Sequence, residues 1–237
     1  MEPFAVLNER TSGPFVFTCE HASCEVPVEY DDLGLDRDQL QEHIAWDIGA
    51  RNLTVNLARR FDAPAVLAGV SRLVIDCNRD LADHDLIVSQ SHGVQVPGNL
   101  EVDADERHRR ITQFYEPYHE AVDALLRRHR DRFLVSVHTF TPVLNGRERR
   151  LDVGVLFDVY ADEAQRLGTA LAGAGLRVRY NEPYSGLDGL IYSAARHGGH
   201  HGAPYLELEV NNALLRDPTA VERIALDIAR GLDVLTD

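Results

Sequence analysis

Cysteine is scarce in this 237-residue chain, with three in all, and methionine and tryptophan occur once each. Cys19, Cys24 and Cys77 cannot all pair, and their spacing matches no C-x-x-C zinc or redox pattern. A disulfide scaffold and a cysteine-built metal site are therefore excluded, and a reducing cytoplasm fits best. No window approaches the roughly 18 uninterrupted apolar residues of a membrane span, and the N-terminal MEPFAVLNERTSGPFVF is acidic and lacks the long apolar segment of a secretory signal. A soluble, unexported protein is expected. Positive charge is short as well: 38 Asp and Glu face 24 Lys and Arg, the net charge is −14, and no basic run reverses that field locally. Such a surface repels phosphate backbones and anionic lipid, so neither nucleic acid nor membrane is expected as a partner. An anionic small substrate would need a local cationic pocket, which makes any arginine beside a site informative. There is no G-x-S-x-G elbow of a serine hydrolase, no repeat period and no compositionally simple linker.

What is present is a foldable core. Hydrophobic residues make up 44% and charged residues 26%, in a length suited to one large α/β domain spanning residues 1–237. Short apolar runs alternate with longer amphipathic ones. PFVFTCEH, APAVLAGVSRLVID (one or two strands around Ser71), RFLVSVHTF, LDVGVLFD, LRVRYN and PYLELEV read as strands. Between them lie helical patterns: a long one from Asp36, a plausible N-cap, to Phe61, then 103–132, ADEAQRLGTALAGAG, and DPTAVERIALDIARGL with Asp217 capping and Pro218 at the first helical position. The alternation predicts an α/β fold, a central mixed and mostly parallel sheet with helices on both faces, and sites in such sheets collect at the carboxyl ends of strands. The stretch Asp80 to Asp103 exceeds the usual connection of about 4–6 residues and is a candidate lid or specificity loop, or else an irregular surface excursion holding a short strand.

Polar groups concentrate where strands end. The first strand closes on Glu20 and His21, the 133–138 strand on His138, and the last strand carries Glu207 and Glu209. On LQEHIAWDIGA, Leu40, His43, Ile44, Asp47 and Ile48 follow helical spacing, which puts Asp47 on a stripe that should be buried. A buried carboxylate must meet a cation, a donor or a proton, so Asp47 pairs with His43 or an arginine, or else ligates a metal. In SRLVIDCNRD, Asn78 and Arg79 form an amide and guanidinium pair suited to a carboxylate, with an Asp76–Arg79 ion pair as the structural alternative.

The blocks CEHASCEVP, HIAWDIGA, SRLVIDCNR, SVHTFTPV, NEPYSG and LELEVNN occur in the order and approximate spacing of the N-formylglutamate amidohydrolase family, so the chain resembles that family from Phe17 to about Leu215. The resemblance implies a relative of the zinc carboxypeptidases and aminoacylases, hydrolysing a small-molecule N-formyl or related N-acyl amino acid with one zinc ion and an activated water. It places His21 and His138 on the metal and makes Glu209 the general base. Asp47, from its buried position, is the expected third ligand, with Glu25 the runner-up; Glu20 is expected behind the ligands, and Cys19 and Cys24 as small buried side chains. Asn78 and Arg79 are expected to hold the substrate's α-carboxylate, and Tyr184 and His197 to line the pocket or stabilise the developing oxyanion. Asn211 stands where the family carries arginine and Ala213 where it carries aspartate, which weakens the expectation of a glutamate side chain in the substrate. A silent carboxylate-binding protein or a metal-binding protein on the same fold is the alternative.

Overall fold

The computed structural model describes residues 1–129 and 131–236. Seven strands hydrogen-bond into one sheet in the spatial order β1 (Phe4–Leu7), β3 (Ala65–Ala68), β2 (Phe15–Cys19), β6 (Phe133–Phe140), β11 (Tyr205–Asn211), β9 (Val153–Leu156) and β10 (Val178–Tyr180). The hairpins β4 (Gln90–Ser91) with β5 (Val94–Gln95), and β7 (Val143–Leu144) with β8 (Arg147–Glu148), stand outside it. Four of the six pairings in the sheet are parallel, and β1–β3 and β11–β9 are antiparallel. The helices are α1 (Arg37–Leu40), α2 (Ala50–Arg60), α3 (Ala104–Arg110), α4 (Glu116–Arg128), α5 (Ala161–Gly173), α6 (Tyr192–His201) and α7 (Pro218–Leu232).

The two-residue period of the strands sorts side chains onto two cores. Phe15, Phe17, Val135, Val137, Leu206 and Leu208 face α2, α5 and α7. Val16, Leu134 and Tyr205 face the other way, against α4 and α6. Burying each such side chain contributes roughly 1.5–3 kcal/mol, enough to pin the register because a one-residue slip would exchange the two faces. On the α4 and α6 side the rows change character along the strands. Val16, Leu134 and Tyr205 form an apolar row; Thr18, Ser136 and Glu207 come next; His138 and Glu209 come after that, side by side in register. The sheet thus runs from oil to titratable groups as its central strands approach their carboxyl ends.

Several elements differ from the sequence expectation. The long helix from Asp36 is two helices. Asp36 caps α1 with a reciprocal bond to Gln39, residues 41–49 then run as turns, and α2 starts after Gly49 at φ 89°, where a Cβ would come within 2.8 Å of Leu215. Left-handed backbone and that close approach both require glycine, so the helix breaks there. The strand after Ala65 stops at Ala68, and 71–79 is a run of turns. A π-helical turn, Ile111–Tyr115, joins α3 to α4 within the third helical region. Asp217 caps α7 through Ala220 N, as its sequence suggests. No helix among the described residues is long and apolar enough to cross a membrane.

Candidate functional site

Three elements deliver the central cluster. His21 follows β2, His138 lies in β6, and Asp47 reaches them from the turns before α2, tied in by its own N–H donating to His21 O (3.0 Å) and by Thr139 N–H donating to its Oδ2 (3.0 Å). One atom from each of His21, Asp47 and His138 lies within 4.8 Å of the others. Asp47 is buried because of this loop path and not, as its spacing suggested, because it rides on a helical stripe. Its distance to His43 Nδ1, 3.8 Å, is too long for a hydrogen bond.

Carboxylates behind the imidazoles fix which nitrogen faces inward. His21 Nε2–H donates to Asp76 Oδ1 (2.7 Å), and His138 Nε2–H donates to Glu20 Oε2 (2.9 Å). Both Nδ1 atoms are left toward Asp47, at 3.6 Å for His21 and 2.9 Å for His138. Glu20 is itself held by Ser136 Oγ and Tyr118 Oη, and Asp76 by Arg72 and the Asn78 N–H. This histidine-on-carboxylate arrangement is the one that orients metal ligands. The unsatisfied atoms fit the same chemistry: His21 Nδ1 and Glu209 Oε2 are buried without a hydrogen-bond partner. A buried orphan of this kind is costly unless something fills its place, and a divalent cation between His21, His138 and Asp47 fits the donor set of two imidazoles and one carboxylate.

Charge is distributed unevenly across the cluster. Burial pushes the carboxyls of Glu20 and Asp76 upward, yet the His138 hydrogen bond at Glu20, and His21 with Arg72 at Asp76, outweigh it and hold both below the usual carboxylate range. Burial works against a charged His138, but the Glu207 charge and the bonds to Asp47 and Glu20 raise its pKa well above the ordinary value. Glu207 is pushed up to about 7, first by burial and then by the nearby Glu20. Glu209 is held well above the usual range by burial and by the adjacent Asp47. A carboxyl so placed readily accepts a proton and has a free oxygen to hold it.

A pocket of about 230 Å3 opens over this cluster, and its wall includes Arg72, Asn78, Arg79, Tyr184 and Glu209. Arg72 is committed to Asp76 (2.9 Å) and Asp47 (3.6 Å), while Arg79 forms no ion pair among the described residues. Asn78 is a pocket residue whose amide is already spent: Oδ1 accepts from Ser193 N–H (2.9 Å), and Nδ2 faces Glu207 (3.3 Å) and Leu190 O (3.4 Å). It anchors the pocket wall to β11 and to the start of α6, leaving Arg79 as the free donor of the pair. Tyr184 reaches the pocket because Gly154 of β9 lets the chain pass close, a Cβ there meeting Glu182 O at 2.0 Å.

The sequence profile described as N-formylglutamate amidohydrolase matches residues 13–216. The chain belongs to that family. Among solved structures it is similar to a gene product of Agrobacterium tumefaciens, at 31% identity and a TM-score of 0.93 over 100% of this chain and 97% of that one. It is also similar in fold to the N-formylglutamate amidohydrolase of Ralstonia eutropha JMP134, at 20% identity and a TM-score of 0.76 over 100% and 98% of the two chains. No curated protein sequence matches it.

Within this family member the structure brings together His21, Asp47, His138, Asn78, Arg79, Tyr184 and Glu209, and it leaves His197 and Glu25 elsewhere. His197 is a correction. Expected in the pocket, His197 lies in α6 and is buried against α4 on His119 and Asp123. Glu25 is exposed. Asn211 does not reach the pocket: its amide donates to Leu151 O (3.1 Å) and its carbonyl accepts from Ala213 N–H (3.1 Å), a local turn cap. Its departure from the family residue therefore says less about the substrate than the sequence suggested. Cys19 is buried, its thiol pushed up to about 12 by burial, and stands outside the ligand set. Sequence reasoning placed Glu207 at the strand end without giving it a role, missed Asp76 as the partner of His21, and missed His43 and His92 in the pocket wall. For Glu207 the signal was available, since it shares the strand face of Glu209.

Proposed function

We propose that this protein is a zinc-dependent hydrolase that cleaves the amide of an N-formyl or closely related N-acyl amino acid, such as N-formylglutamate, releasing formate and the free amine. The observation that carries this reading is the convergence of three ligand-type atoms from His21, Asp47 and His138 beside an unpartnered Glu209 oxygen, in a pocket that also holds an unpaired Arg79. His21, Asp47 and His138 are the residues that would hold the metal. A bound zinc ion supplies Lewis acidity, lowering the pKa of water towards about 7 and polarising carbonyl oxygen.

The remaining work falls to the chain. Glu209 Oε2 takes the proton from the attacking water and returns it to the leaving nitrogen, so that water and amide are converted to acid and amine with no proton left over. Burial and Asp47 both raise its pKa, which strengthens it as a proton acceptor. Arg79 holds the substrate's α-carboxylate through its planar fork, and Asn78 keeps the loop that carries Arg79 against Glu207 and α6. Tyr184 lines the same pocket.

The test is formate release from N-formyl-L-glutamate by purified protein loaded with zinc. Turnover lost on chelation and regained on adding zinc is expected. Failure of the zinc-loaded protein to release formate from any N-formyl amino acid would leave the carboxylate-binding alternative standing.

A further inference from the structure

The cations near the pocket are not equally occupied. Arg72 is spent on Asp47 and Asp76. Arg79, in the wall, and Arg149, beside Tyr184, form no ion pair among the described residues. In a chain with net charge −14, two guanidinium groups that form no ion pair with a described carboxylate beside one small pocket imply an anionic occupant with more than one charge.

Arg149 is set in place by the structure around it. The hairpin β7–β8 turns at Asn145 and Gly146, both with positive φ, which suits a tight two-residue turn. It closes at its base where Arg149 N–H donates to Pro142 O (2.8 Å). The side chain is half-buried, with its guanidinium 5.4 Å from the Tyr184 ring centre and 5.7 Å from that of Phe140. Its guanidinium makes a long hydrogen bond, Nη1 to Thr141 O at 3.5 Å, and otherwise lies beside the hydroxyl-bearing side chain of Tyr184 without meeting a described carboxylate. A planar cation rested on aromatic rings loses little freedom when it meets a carboxylate, and its fork is still open. Its charge is felt inside: after burial and Arg72 it is the next influence depressing the pKa of His92, and it opposes the upward push of burial and Glu209 on Tyr184. His92, Tyr184 and, from the tip of the same hairpin, Leu144 all line the pocket. Arg149 thus stands beside Tyr184 of the pocket wall, on an element separate from the loop that carries Arg79.

We propose that Arg149 is the specificity-determining residue of this pocket, binding a second carboxylate on the substrate's side chain while Arg79 binds the α-carboxylate. The inference rests on reading the pocket as that of an N-acyl amino acid hydrolase and adds the group that reads the side chain. The selection it produces is for amino dicarboxylates over neutral amino acids of the same size, because a fork that meets an amide in place of a carboxylate loses the charge-assisted pair of bonds.

The experiment compares N-formyl-L-glutamate with N-formyl-L-glutamine, which differ by one charge at nearly constant shape, in wild type, Arg149→Met and Arg149→Lys. Wild type should prefer the glutamate compound. In Arg149→Met the ratio of the two kcat/KM values should fall by about 100-fold, chiefly through KM for the glutamate compound, with Arg149→Lys between them. A wild type indifferent to the charge, or a ratio that stays within about threefold in both variants, overturns the proposal. Melting curves identify a variant that fails to fold, and the lysine variant then decides. If wild type turns over neither compound, the hydrolase reading fails separately. Calorimetric binding of the same two compounds then judges Arg149: a glutamate preference lost in the variants supports it, and equal binding in wild type overturns it.

Discussion

Two buried clusters in this protein are built from the same parts and do different things. At the carboxyl ends of β2, β6 and β11, two imidazoles, His21 and His138, meet Glu20, Asp47, Asp76, Glu207 and Glu209 beneath an open pocket. Between α4 and α6, three imidazoles meet one carboxylate: His119 Nδ1 lies 2.7 Å from His197 Nε2, and Asp123 Oδ1 accepts from His197 Nδ1–H and His201 Nε2–H at 2.8 Å each. The first has an excess of acceptors and leaves His21 Nδ1 and Glu209 Oε2 unpaired toward a cavity. The second holds two helices together, and its unpaired ring atom, His119 Nε2, lies outside the pocket. Chemistry follows unsatisfied groups that converge on accessible space, and histidine count alone is no guide to it.

The largest expected effect separates the two clusters by turnover. Glu209→Gln should lower kcat by roughly 10²–10⁴-fold while metal content and KM change little, since the amide keeps the shape and loses the proton transfer. Steady-state kinetics with formate detection checks this, and wild-type turnover in the variant would remove Glu209 from the mechanism. A smaller loss is expected from Arg79→Lys. Losing one bond of a charge-assisted fork should raise KM roughly tenfold with zinc retained. Unaltered kinetics would make Arg79 a structural residue.

The helical cluster should answer to pH. Burial, and then His197 and Arg196, hold His119 well below its ordinary value of 6.5, so the folded state favours the neutral ring. Between that depressed pKa and 6.5 the unfolded chain binds more protons, so the contribution is complete above 6.5 and is lost as pH falls below it, by up to about 1.4 kcal/mol per pH unit. Urea unfolding at pH 7.5 and 5.5 should show that loss in wild type. In His119→Asn, whose amide can still meet His197 but cannot titrate, the pH-dependent part should shrink. An identical pH dependence in both proteins would show that His119 does not carry it.

Much of this was legible from sequence because it follows local rules. Strand alternation at Phe15–Cys19 and Phe133–Phe140, the cap at Asp217 and the strand-end placement of Glu20, His21 and Glu209 depend on neighbours a few residues away. What was hidden depends on distant ones. The break at Gly49 is set by Leu215, so helical spacing put Asp47 at the right depth for the wrong reason. The edge strand β1 exists because β3 is there to pair with it. His197, expected in the pocket, is held away from it by α4. The contacts that make it a helix residue, with His119 and Asp123 on α4, are more than 70 positions away. Of the two carboxylates behind the imidazoles, Glu20 was expected there beside His21 in sequence, whereas Asp76 was hidden because it lies 55 residues from the His21 it holds.

Metal content, measured by plasma emission on proteins refilled with zinc and then dialysed, tests the distinction between the two clusters most directly. Wild type and His197→Asn should each hold about one equivalent, while His21→Ala and His138→Ala, each deprived of one of three ligands, should lose most of it. Zinc retained in full by both ligand variants, or lost with His197 alone, would contradict the account.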